Sequence, residues 1–174
     1  MKHTVTLTRA QENIPTYIPK PPVALPMFFE KKPYQGATGR LYPLPYSDGI
    51  TDEKKDVSYE VYTLENEYIQ TKILPAIGGK ILSGYDKVGS YDFIYRNHVI
   101  KPALVGLAGA WISGGIEFNW PQHHRPTTFS PVDYLLIENP DGSKTCRVSD
   151  VDQMYGTKGE ASFTLYPGKA YIEI

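Results

Sequence analysis

Cysteine is almost absent from the sequence: Cys146 stands alone among 174 residues. A single thiol excludes an internal disulfide, and without a CxxC pair the chain lacks the thiolates of a structural zinc site. That usage suits a reducing compartment, so a cytoplasmic protein is expected. Long apolar runs are missing as well. No stretch approaches the roughly 20 apolar residues of a membrane span, and the polar, alternating start MKHTVTLTRAQEN lacks the apolar core of a signal peptide. No membrane partner is expected. Neither sign of charge dominates, since 18 basic and 19 acidic residues leave a formal net charge of −1. Without a basic stripe to neutralise phosphates, nucleic acid is not expected as a partner either. The nucleotide-binding patterns GxGxxG and GxxxxGK[ST] do not occur, and the pairs Gly78-Gly79 and Gly114-Gly115 read as tight bends. No cofactor is expected.

What the chain has in quantity is glycine, proline and tyrosine: 15, 15 and 14 residues. Proline removes a backbone donor and glycine costs chain entropy in helix interiors, so helices should be few and short. Tyrosine, with an apolar ring and a polar tip, suits half-buried strands and sugar-lined clefts alike. Residues 1–56 read as a proline-rich arm, opening on a short strand at Val5–Leu7. From Ile14 to Pro45 the arm is extended but anchored on the main body by Met27, Phe28, Phe29, Tyr34, Leu41, Tyr42, Leu44 and Tyr46. Residues 57–174 read as the sandwich proper. VSYEVYTL alternates with a period of two, and further strands are predicted at Glu67–Leu74, Lys80–Tyr85 and Tyr91–Tyr95 with hairpin-length links, the pattern of an antiparallel meander. Lys101–Gly115 has no helix signal and reads as buried and irregular. Two hairpins follow, Tyr134–Glu138 with Thr145–Ser149 and Ala161–Leu165 with Ala170–Ile174, each through a turn rich in Pro and Gly. The expected fold is therefore an all-β antiparallel sandwich. Its last strand has no stop signal, so this is expected to be the N-terminal part of a larger domain. The exposed edge left there is expected to recruit a second copy into a homodimer by strand pairing.

Chemistry is concentrated in one segment, WISGGIEFNWPQHHR from Trp111 to Arg125, which contains both tryptophans of the chain. Saccharide sites need flat apolar faces against pyranose C–H groups, with amides, carboxylates and guanidinium groups to pair with hydroxyls. Trp111, Asn119, Trp120, Gln122 and Arg125 are the candidate saccharide-binding residues. Histidine titrates nearest neutrality, so His123 or His124 could move a proton, with Glu117 as partner or alternative acid/base. Any one of these residues could serve packing alone. Burying six polar side chains for packing would incur a desolvation cost at each, which a polar cleft relieves. Metal ligation by Glu117, His123 and His124 is disfavoured, because adjacent histidines on extended backbone point to opposite sides and no HxH, HxxxH or HExxH spacing occurs. Asn97-His98 reads as a capping pair, and Cys146, mid-strand, as structural.

IPTY (Ile14–Tyr17), PYQGATGRLYPLP (Pro33–Pro45), LENEYI (Leu64–Ile69), ILPAIGGKI (Ile73–Ile81), the long block from Tyr91 to Phe129, MYGTKG (Met154–Gly159) and LYPGKAYIEI (Leu165–Ile174) carry a family resemblance. On these segments the chain resembles a bacterial domain of unknown function that precedes tetratricopeptide repeats and is related to galactose mutarotases. The resemblance implies a galactose mutarotase-like β-supersandwich with a sugar cleft on its concave face, continuing past Ile174. It also implies mutarotase chemistry, in which a histidine acid and a glutamate base open and reclose the sugar ring. The early His-Arg segment of those enzymes has its nearest analogue in His123, His124 and Arg125. Their later histidine and glutamate would fall beyond this chain, which leaves Glu117 a local candidate. Three functions stay open: a sugar isomerase or glycoside-processing enzyme, a non-catalytic glycan-recognition domain, and a protein-interaction β domain attached to helical repeats.

Overall fold

The computed structural model describes residues 3–28, 40–120, 124 and 126–174. The strand at the heart of the first sheet is KKDVSYEVYTLE, whose β-branched and aromatic residues favour a pleated, half-buried surface. It runs over Lys54–Glu65 (β2) and pairs along its whole length with Thr6–Tyr17 (β1), from Thr6 opposite Glu65 to Tyr17 opposite Lys54. The first strand is thus much longer than the Val5–Leu7 segment expected, and part of the proline-rich arm belongs to the sheet. Pro15 is tolerated because β1 is an edge strand: among the described residues its outer side carries only a single bridge, to Ile100, whose N–H donates to the Pro15 carbonyl and needs no N–H from Pro15. Ile69–Leu74 (β3), Lys80–Asp86 (β4) and Tyr91–Ile94 (β5) follow as an antiparallel meander, giving the order β1-β2-β3-β4-β5.

Ala103–Gly106 (β6) and Gly109–Trp111 (β7) pair as a two-stranded ribbon. The stretch expected to be irregular is therefore partly regular: Leu107, Ala108, Ala110 and Ile112 are buried, while Leu104 and Val105 are exposed. The second main sheet consists of Asp133–Glu138 (β8), Lys144–Asp152 (β9), Thr157–Leu165 (β10) and Ile172–Glu173 (β11), in the order β11-β10-β9-β8. Both predicted hairpins are present. The β9–β10 hairpin between them is longer than either expected strand, and its extension carries Asp150, Asp152, Lys158, Gly159 and Glu160, which mask the alternation. At the C-terminal end β11 spans two residues, so the main-chain edge there is shorter than the five-residue strand expected at Ala170–Ile174. A single 3₁₀ turn, Pro126–Thr128, is the helical element among the described residues, and the fold is all-β. Among the described residues no helix is long and apolar enough to cross a membrane.

The two main sheets share one core. Tyr62, Leu64, Ile73 and Ile81 of the first sheet meet Cys146, Val148, Phe163 and Leu165 of the second. The opposite face of β2 is covered too: Val61 packs with Leu74, Ile77, Ile100 and Ile112. Both faces of the strand are therefore apolar near its end, where simple alternation predicts one. Asn66, only 4% exposed, ties the sheets together at one end. Its Nδ2 donates to the Tyr166 and Lys169 carbonyls at 2.9 and 2.8 Å, and its Oδ1 accepts from the Tyr68 and Ile69 amides. From the proline-rich stretch, Leu41, Leu44 and Tyr46 are buried against Leu107 and Ala108, with Met27 packed alongside. Phe28 and Tyr42 stay exposed, their rings 5.2 Å apart. Phe29 and Tyr34 lie outside the described residues.

Candidate functional site

The chain reaches the chemistry-rich segment through Gly114-Gly115, both with positive φ. A Cβ on Gly115 would sit 2.1 Å from the Ile81 carbonyl oxygen, so the approach to β4 is open only to glycine. The bend allows Ile116 to pair with Ile81, exchanging N–H···O bonds of 2.8 and 3.0 Å. Glu117, the next residue, is thereby fixed beside the start of β4.

Two of the predicted side chains converge on that carboxylate. The Trp111 indole Nε1–H donates to Glu117 Oε2 at 2.8 Å. Nδ1 of His124 lies 2.5 Å from Glu117 Oε1, close enough for an ion pair but out of line for a hydrogen bond. The Trp111 and His124 rings meet edge-on with centroids 5.6 Å apart. The Asn119 Oδ1 accepts the His124 backbone N–H at 2.9 Å, helping to hold His124 at a left-handed φ of 27°, which costs a non-glycine residue strain energy. The side chains of Glu117 and His124 are 16% and 28% exposed, so the cluster is sheltered but open to solvent.

Trp120 goes elsewhere. Its indole lies against Gly159 of β10, so closely that a Cβ on that glycine would fall 2.2 Å from the ring. The Trp120 Nε1–H is buried with no partner among the described residues. Trp120 thus packs on the second sheet. Phe118, between the two tryptophans in sequence with Glu117, turns into the inter-sheet core 5.1 Å from Phe163. Gln122, His123 and Arg125 lie outside the described residues.

Lys80 was not among the sequence candidates, although it opens β4 next to Ile81. It is 2% exposed, and its Nζ donates to the Ile112 carbonyl at 3.2 Å. Burial pushes the ammonium below its ordinary pKa, and the negative charge of Glu117 opposes that shift. In the sequence Lys80 stands between Gly78-Gly79 and Ile81, and no local pattern marks it as buried. A concavity of about 480 Å³ opens elsewhere, where β1 and the β2–β3 turn meet, lined by His3, Thr6, Glu65, Asn66, Tyr68 and Lys87. In it Lys87 Nζ bonds to Glu65 Oε1 at 2.6 Å and to the Asn66 carbonyl at 2.8 Å.

The fold has a solved counterpart. A TPR-domain containing protein from Parabacteroides distasonis superposes with a TM-score of 0.81 over 97% of this chain, at 23% sequence identity. The present chain spans 28% of that protein's chain, and at this identity the likeness is one of fold. The sequence itself is more specific: residues 37–174 match a single family over most of the chain, and the chain belongs to that family, Domain of unknown function (DUF5107).

Proposed function

We propose that the chain is a saccharide-recognition module of mutarotase-like type, with its site at Trp111, Glu117 and His124. The observation that carries this reading is the sheltered Glu117 carboxylate, bracketed by an indole N–H on one oxygen and an imidazole on the other. An ionised carboxylate has about four lone-pair positions, so two contacts leave it able to accept from vicinal sugar hydroxyls. Trp111 supplies an adjacent aromatic surface for pyranose C–H groups. A histidine whose Nδ1 faces a carboxylate turns its other ring nitrogen to the ligand, the arrangement used when imidazole moves a proton. Asn119 acts through the backbone of His124. The resemblance to mutarotases favours sugar-ring opening as the reaction if the module is catalytic.

A glycan array followed by saccharide titration tests the reading. Wild type is expected to bind, and Trp111→Ala, Glu117→Gln and His124→Ala are each expected to weaken binding by about tenfold or more, the size of a lost charge-assisted hydrogen bond or stacked ring. No binding by wild type on the array would overturn it. Anomer exchange followed by NMR separates catalysis from recognition, because a bound sugar whose anomers interconvert at the uncatalysed rate marks a lectin. The TPR-domain neighbour favours a second reading, a β module that works attached to helical repeats.

A further inference from the structure

We propose that Lys80 is the positioning residue of this site: its buried ammonium holds the Glu117 carboxylate in place between Trp111 and His124. The inference rests on the reading of the cluster given above. Lys80 reaches its position through the same glycine bend that delivers Glu117. Its stem passes beneath Gly115, where an added Cβ would come within 3.1 Å of Lys80 Cε, and Ile116 pairs with Ile81, the residue after Lys80. The two charged residues are thus carried by backbone segments hydrogen-bonded to each other. A bond to the Ile112 carbonyl alone does not explain a lysine here, because any neutral donor would satisfy a carbonyl without the cost of burying a charge. The neighbouring carboxylate makes that charge tolerable. In return the ammonium gives the sheltered carboxylate a fixed counter-charge nearby, in addition to its contacts with Trp111 and His124. Lys80 is inaccessible to a ligand, so its contribution is made through Glu117.

The test uses the Trp111 indole N–H, which is bonded to Glu117 Oε2 and reports on that carboxylate without any saccharide present. Its resonance is assigned by its loss in Trp111→Phe. In Lys80→Met, which keeps the length of the stem and removes the charge, the resonance is expected to move toward that of a free indole, and saccharide affinity is expected to fall about tenfold or more. An unmoved indole resonance in a folded Lys80→Met protein would overturn the proposal. Should wild type bind no saccharide, the functional reading fails, while the indole shift still decides the role of Lys80. If Lys80→Met does not fold, the double variant Lys80→Met/Glu117→Gln decides. Recovery of folding when both charges are removed supports the pairing, and failure of the double variant to fold shows that Lys80 is needed independently of Glu117 and overturns it.

Discussion

At the scale of single residues, the inter-sheet core sets the behaviour of Cys146. Desolvation there pushes its thiol up to about 12, well above an ordinary cysteine, so the reactive thiolate is scarce at neutral pH. Native protein at pH 8 is expected to resist a thiol-specific disulfide reagent, and denatured protein to react with one equivalent. Rapid native labelling would contradict the burial. Glu65 gives a second prediction, with opposite protonation logic. Its bond to Lys87, and then that to Gln70, hold it below the ordinary carboxylate range. The folded state therefore binds this proton more weakly than the unfolded chain does. The resulting stability is complete above the unfolded pKa of about 4.3 and is lost as pH falls through the folded value. Urea melts from pH 7 downward should show a shallower acid loss in Glu65→Gln than in wild type, and parallel curves would refute the linkage. Trp111, Glu117, Asn119 and His124 could be singled out in the sequence because they lie within fourteen positions of one another. Lys80 could not, since its partner Ile112 is 32 residues away and a lone lysine ordinarily signals a solvated surface.

Among the elements, one polar link between the sheets is made by a turn. Asn66 bridges the β2–β3 turn and the β10–β11 turn with its whole amide, although 100 residues separate it from Tyr166. Asn66→Ala would remove the side-chain bonds to two carbonyls and two amides, and a loss of about 2–4 kcal/mol is expected from the unmet bonds. Chemical denaturation would measure it, and a change under about 0.5 kcal/mol, the usual effect of a surface substitution, would show that water replaces the side chain. The hairpins of both sheets were legible because period-two alternation and Pro/Gly turns are local signals. The reach of β1 through Pro15 and the extension of β9 and β10 through charged residues were not, because both depend on what the partner strand offers. Pairing with β2 on one side and only the single Ile100 bridge on the other make room for Pro15, and the nine-residue ladder between β9 and β10 carries residues whose own propensities point to a loop.

For the molecule as a whole, the consequence of a shared core is cooperativity. Phe163 is fully buried on β10, yet it contacts the interior to which Tyr62, Leu64 and Ile81 of the other sheet contribute. Phe163→Ala is expected to cost about 3–5 kcal/mol, the usual range for removing a buried ring. It should lower the protection of amides in both sheets together, since neither sheet keeps its inner face covered without the other. Hydrogen exchange showing loss confined to β8–β11 would mean that the sheets unfold separately.

The two indoles occupy unlike settings: Trp120 is wedged against β10, and Trp111 touches an imidazole and a carboxylate in the candidate site. The protein consequently contains a pair of optical gauges that answer different questions. With Trp111 replaced by phenylalanine, emission follows the parting of Trp120 from β10; with Trp120 replaced, it follows occupancy of the candidate site. Ligand capture and loss of structure can then be read apart, one in each variant, without any added dye.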